Sequence, residues 1–284
     1  MNPYKYSSVA RALDPTYPTN RAVLILMPIL FAAGAALAWL QGEAVLGGLL
    51  FGARLALAAF IAWALTREID PDHELSAFLS LVLGTAAVII LPEANLLVAF
   101  WLMAVLRILN RTTGLPARWL DTLAVAGFSS WMLWTFDWTL GVIAGLAFIL
   151  DGVLSEPLLR HRYVGLGLIL LSILRFLVGP TAAAPHIFST DLIWELVAVM
   201  IFLPLLIRSS TMKSICDATG ERINPRRVQS GQIVTFAAAG ILLSRDPSGL
   251  EAASLIIASI LGAGLFYLGS WPGSRQNADT RARE

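Results

Sequence analysis

The sequence predicts an all-α integral membrane protein with about ten transmembrane helices (9–10) and with both termini cytoplasmic. Three observations carry that prediction. Hydrophobic residues occupy 57% of the 284 positions and charged residues 14%, well to the apolar side of a water-soluble domain. Apolar runs recur at 22–41, 44–65, 76–91, 93–110, 119–136, 138–154, 163–179, 190–207, 230–243 and 248–270. If these are successive crossings from a cytoplasmic N-terminus, every Lys and Arg except Arg54, Arg175 and Arg245 falls on one side, as the positive-inside rule requires.

Taken in order, the cytoplasmic N-terminal segment 1–21 holds Lys5, Arg11 and Arg21 among three prolines and reads as irregular. The first two runs return the chain to Arg67, and the next pair to Arg107, Arg111 and Arg118. The third pair leads to Arg160 and Arg162, and the fourth to a basic loop, 208–229, carrying Arg208, Lys213, Arg222, Arg226 and Arg227. The last pair ends in a flexible cytoplasmic tail, 272–284, so that 22–271 forms a single polytopic domain. Runs 76–91 and 230–243 fall short of the roughly 20 residues that cross a hydrocarbon core of about 30 Å, and are candidates for re-entrant or bundle-enclosed segments. Tryptophans agree with this plan: Trp39, Trp131, Trp134, Trp138 and Trp194 fall near external ends and Trp63, Trp119 and Trp271 near internal ones, the interfacial positions that indole prefers. Gly48 with Gly52, and Gly141 with Gly145, give two Gly-x-x-x-Gly spacings that let helices approach closely.

Function is less legible. The chain has no P-loop, no His-Glu-x-x-His, no nucleotide-binding glycine fingerprint and no Cys or His cluster. Nucleic acid is excluded as an expected partner, membrane lipids are expected, and the single Cys216 rules out an internal disulfide.

The most acidic stretch, Arg67-Glu68-Ile69-Asp70-Pro71-Asp72-His73-Glu74, is the candidate metal site. Extended, it would put Glu68, Asp70, Asp72 and Glu74 on one side, a set that suits Mg²⁺ or Ca²⁺. The competing reading, favoured on residue chemistry, is a helix entrance with Asp70 as N-cap and Pro71 at the first helical position. The next internal turn offers Arg107, Asn110 and Arg111 as candidate substrate-binding residues, because guanidinium forks grip phosphates and carboxylates. Asp121 and Asp151 approach the same face, with Asp151 and Glu156 expected to pair locally with Arg160 and Arg162.

Arg67-Glu68-Ile69-Asp70 after the second run, and Asn110-Arg111-Thr112-Thr113-Gly114-Leu115-Pro116 after the fourth, resemble the motifs of membrane prenyltransferases of the UbiA type. The likeness covers those two short stretches, and the family's longer cytoplasmic loop has no counterpart here. It implies a divalent-cation-dependent enzyme acting on a lipid-linked, prenyl-type phosphate at the cytoplasmic face, the one reading in which Mg²⁺ enters.

Arg54, Arg175 and Glu195 lie inside apolar runs, where an unpaired charge costs at least about 2.5–3.5 kcal/mol. They are expected to face partners or a hydrated cavity, with Arg175 opposite Glu195, and with Asp121 and Asp151 they join the candidate substrate-binding residues. The reading favours a multi-pass cell-membrane carrier of a small or lipid-like solute. The lipid-phosphate enzyme is the alternative, and a non-catalytic membrane subunit the second alternative.

Overall fold

The computed structural model describes residue 4 and residues 7–11, 13–91, 93–179, 190–245 and 249–270, without the side chains of residues 190–192, 194 and 195. Ten α-helices account for most of them: α1 Pro18–Leu40, α2 Val45–Ile69, α3 Ser76–Ile90, α4 Leu96–Asn110, α5 Trp119–Thr135, α6 Trp138–Asp151, α7 Leu159–Val178, α8 Thr190–Arg208, α9 Pro225–Leu243 and α10 Gly249–Gly269. This is an all-α membrane protein. Four helices, α1, α2, α7 and α10, are long and apolar enough to cross a bilayer by length and composition. Large apolar side chains such as Ile25 and Ile29 on α1 and Leu170, Leu174 and Leu177 on α7 lie exposed on the outside, where lipid rather than water accounts for them.

The helices form a core and a shell. Helices α2, α4, α6, α9 and α10 pack on one another, with α1 against α2, α3 against α2 and α10, α5 and α7 against α6, and α8 against α9 and α10. Helices α4 and α6 contain only 15 and 14 residues, about 21–22 Å at 1.5 Å per residue. Most of their side chains are buried by protein, so their length need not match the hydrocarbon.

Two expected boundaries are corrected. Helix α9 starts at Pro225, five residues before the apolar run at 230, because the Asn224 side chain accepts from Arg226 N and Pro225 occupies the first turn. Arg226 and Arg227 are thereby carried on a helix instead of a loop. Conversely, Asp70-Pro71 does not open α3: Asp70 is the C-cap of α2, the chain turns through 71–75, and α3 starts at Ser76 after Leu75. The Asp70 carboxylate is engaged by His73 and not by an orphan helix N–H.

Connections sort to two ends of the bundle. The C-terminal ends of α2, α4 and α6 meet the N-terminal ends of α5, α7 and α9 at an arginine-rich end. At the opposite end Arg54 reaches Ala94, Asp137 meets Arg245, and Asn95 N donates to the Glu251 carbonyl.

The glycine spacings mark the tightest crossings. Gly34 of α1 faces Gly52 of α2, and Gly145 of α6 faces Gly165 of α7. A Cβ on Gly145 would lie 2.8 Å from the Gly165 carbonyl oxygen, whereas one on Gly127 would meet nothing within 4 Å. Gly145→Ala is therefore expected to force α6 and α7 apart and cost about 1–3 kcal/mol. Gly127→Ala should leave the unfolding midpoint in detergent unchanged or slightly raised. Equal midpoints for the two variants would contradict the packing described.

Candidate functional site

Asp151, the last residue of α6, is fully buried and is the centre of the arginine-rich end. Arg111 grips it with two parallel bonds, Nε to Oδ1 at 2.8 Å and Nη2 to Oδ2 at 2.9 Å. Arg227 Nη1 donates to Oδ1 at 2.6 Å and His161 Nδ1 to Oδ2 at 2.7 Å. The carboxylate only accepts, so Nδ1 of His161 carries hydrogen. Nε2 then faces the Thr122 hydroxyl at 2.9 Å, itself 2.9 Å from the Arg118 carbonyl. The one Thr122 proton goes either to the Arg118 carbonyl or to a neutral His161 ring, and a doubly protonated ring donates to the hydroxyl.

Sequence position explains who arrives. Arg111 caps α4 in the left-handed region, φ 51°, a conformation worth about 1–2 kcal/mol of strain for a side-chain-bearing residue. Its remaining Nη1 donates to the Glu156 carbonyl at 3.0 Å, while Arg227 also holds the carbonyls of Leu109 and Ser155. The expected local pairing of Asp151 with Arg160 and Arg162 is not what forms. Arg160 donates to the Ala117 carbonyl and Arg162 to the Gly152 carbonyl, while Arg111 and Arg227 reach Asp151 from the ends of α4 and α9.

Glu68 makes a second buried centre beside the first. Its Oε1 receives Arg107 Nε at 3.1 Å and Arg11 Nη1 at 3.3 Å, and its Oε2 receives the Thr112 hydroxyl at 3.0 Å. Asn110 Nδ2 donates to the Glu68 backbone carbonyl at 2.8 Å. Residues 7–11 lie across this end as a strap: Ser7 and Ser8 donate to Asp121, Arg107 donates to the Val9 carbonyl, and Arg11 spans Glu68 and Asp217. Asp121 also accepts from Arg118 N, capping its own helix.

The four acids of the candidate metal turn are not gathered. Glu68 belongs to the arginine centre, Asp70 to His73 at 2.8 Å, Asp72 to Lys213 N and Ser214, and Glu74 to Arg67 at 3.1 Å. Among the described residues no group of three or more His, Cys, Asp or Glu is arranged to hold a metal ion. Burial pushes the Asp70 carboxyl up, and its hydrogen bond raises His73 above the usual 6.5, with Asp72 adding to that and Lys213 opposing it.

At the opposite end a cavity of about 160 Å³ opens between α4, α6, α9 and α10, lined by Glu93, Asn95, Asp137, Arg245 and Glu251 with Phe136 and Leu140 among its apolar walls. Arg245 Nε lies 3.1 Å from Asp137.

No protein-family model matches the chain, and no curated protein and no solved structure is significantly similar to it.

The intramembrane candidates lie apart from both centres. Arg54 is partly buried in the first half of α2 and donates to the Ala94 carbonyl at 2.9 Å. Arg175 donates to the Trp134 carbonyl at 3.3 Å with its guanidinium 5.7 Å from that ring. The side chain of Glu195, its expected partner, lies outside the described residues. Sequence reasoning missed His161, Thr122, Arg227, Asp137 and Arg245 as site residues. The readable signal was that Asp137 and Arg245 are oppositely charged at the same expected face.

Two outcomes test these centres. Asp151→Asn leaves two buried guanidiniums without their shared counter-charge and should cost about 3–5 kcal/mol. Glu74→Gln, which breaks a half-exposed pair, should cost no more than about 1 kcal/mol. Comparable losses of thermal stability would contradict the burial described. For the second, both His73 and Asp70 bind protons more tightly when folded. Their contribution is complete below the unfolded values and fades as pH rises through the raised native ones. The unfolding midpoint should therefore fall as pH rises above the ordinary carboxylate and imidazole values of 3.8 and 6.5, and His73→Gln should flatten the upper part of that decline, which belongs to the imidazole.

Proposed function

We propose that this protein is a carrier of a small or lipid-like solute, with its arginine-rich end and both termini in the cytoplasm and its ten helices crossing the cell membrane. The observation that carries this reading is the placement of two differently built ends on the same helices. Helices α4, α6 and α9 contribute Arg111, Asp151 and Arg227 to a closed ionic layer at one end. They or their adjoining turns contribute Asn95, Asp137, Leu140 and Arg245 to an open cavity at the other. Alternating access needs such a pair: a solute-sized space facing one side and a breakable seal facing the other. The Asp137–Arg245 pair at the cavity rim is the complementary seal for the opposite state.

Under this reading the charged layer is a gate, which accounts for ion pairs whose burial is a poor source of net stability. Arg54 and Arg175 then serve as structural clamps at the external end.

Cysteine accessibility tests the carrier reading without knowledge of the solute. In a Cys216→Ser background, Ala252→Cys at the cavity should react with a membrane-impermeant maleimide added outside intact cells, and Leu109→Cys beside the seal should stay protected from reagent on either side. Adding Asp151→Asn should weaken the inner seal, lower external labelling of residue 252 at least threefold, and expose residue 109 from the cytoplasm. Unchanged labelling at both positions in folded protein would overturn alternating access.

A lipid-phosphate enzyme is the second reading. It is favoured by the direct meeting of Glu68 with Arg107 and Thr112 at the arginine-rich end. Turnover of a lipid-linked phosphate by the purified protein, lost in Arg107→Gln while the fold is kept, would support it over the carrier.

A further inference from the structure

We infer that the cytoplasmic ends of α5 and α7 form a binding site for one anionic phospholipid, held by Arg160 and Arg162 and framed by Trp119 and Tyr163.

Helices α5 and α7 are neighbours, and Arg160 joins them, its guanidinium carbon 4.7 Å from the Trp119 ring centre and its Nη2 donating to the Ala117 carbonyl. Arg162, two positions on and on the other flank of the exposed face that carries Leu159, Tyr163 and Leu166, is itself exposed and uses Nε on the Gly152 carbonyl at 2.6 Å. Neither arginine is in an ion pair among the described residues. Two carboxylates at this end are committed elsewhere: Asp121 to Ser7, Ser8 and Arg118 N, and Asp151 to Arg111, Arg227 and His161. Glu156, in the turn before α7, is exposed and forms no ion pair among the described residues.

These two cations also stand in the wrong place for an unliganded helix. They occupy the first turn of α7, which has no acidic residue and no side-chain cap at Leu158. A helix N-terminus carries partial positive charge and orphan N–H groups, so cations there are unfavourable and an anion is favoured. A phosphodiester offsets both the helix end and the guanidiniums.

The surroundings select a lipid over a soluble anion. Trp119 and Tyr163 are 62% and 76% exposed, which is where interfacial aromatics sit beside a headgroup. Leu123 on α5 and Leu159 and Leu166 on α7 are also exposed and continue the patch toward the hydrocarbon, giving acyl chains a surface. Gly127 and Gly167, with open space over them, keep that surface low. The inference is independent of whether the protein is a carrier or an enzyme.

Native mass spectrometry of the full chain, exchanged from mixed micelles holding equal dioleoylphosphatidylglycerol and dioleoylphosphatidylcholine, tests it. The parent should retain one phosphatidylglycerol at least fivefold more often than phosphatidylcholine. Arg160→Gln with Arg162→Gln should reduce that preference to under twofold. Arg222→Gln, on the exposed loop before α9, should leave it intact. An equal loss in Arg222→Gln would reduce the effect to diffuse attraction and overturn a defined site, as would retention of either lipid without preference in the parent. Inorganic phosphate displacing the lipid at millimolar concentration would overturn the lipid assignment in favour of a soluble anion. Should the double variant fail to accumulate, Tyr163→Ala and Trp119→Leu, at exposed positions, read the same preference; both retaining it would overturn the framing proposed.

Discussion

A carboxylate with no contact with water must be paid back by its neighbours, and Asp151 obliges three helices and one connecting turn to meet. Arg111 arrives from the end of α4, Arg227 from the start of α9 and His161 from the start of α7, each at 2.6–2.9 Å. None of the three can be withdrawn alone without leaving a buried charge or donor unmet. The left-handed backbone at Arg111 and the early start of α9 at Pro225 are local costs and adjustments that make sense once that convergence is required. The Glu68 centre extends the same logic to α2 and to the strap.

The layer divides the molecule into parts with different physics. Along the middle of the bundle, cohesion comes from small-residue crossings such as Gly34 with Gly52 and Gly145 with Gly165, where backbones touch and lipid is excluded. At the arginine-rich end, cohesion is ionic, centred on Asp151 and Glu68. At the opposite end it is sparse, with the Asp137–Arg245 pair beside a cavity. Under the carrier proposed above, a bundle locked at one end and open at the other would rock about its middle.

The sequence made the helices legible because apolar run length and arginine placement are one-dimensional signals. All ten runs have a helix in the structure. It also flagged Glu68, Arg107, Asn110, Arg111, Asp121 and Asp151, since polar groups next to apolar runs are conspicuous. What it could not supply was pairing. Arg111 and Asp151 are 40 residues apart, and Arg227 and Asp151 are 76 apart, and no local rule links them; local rules instead favoured Arg160 and Arg162. The acidic turn misled for the opposite reason. Its four carboxylates are adjacent in sequence, but the α2 C-terminus turns Glu68 into the bundle while Asp72 is taken by the backbone of a loop some 140 residues later. His161 and Thr122 gave no signal, being single polar residues at helix starts.

The strap of residues 7–11 also bears on how the protein is made. Arg11 is bonded to Asp217 across 206 residues, and Ser7 to Asp121 across 114. A chain emerging from the ribosome has its first ordered segment waiting, solvated, while five helices and then three more are inserted, and that segment settles only when the loop after α8 has appeared. Loop closure over such distances is slow and entropically costly, so the strap docks only after the loop following α8 has been made. Arg227, carried on α9, must still follow before the arginine-rich end is complete.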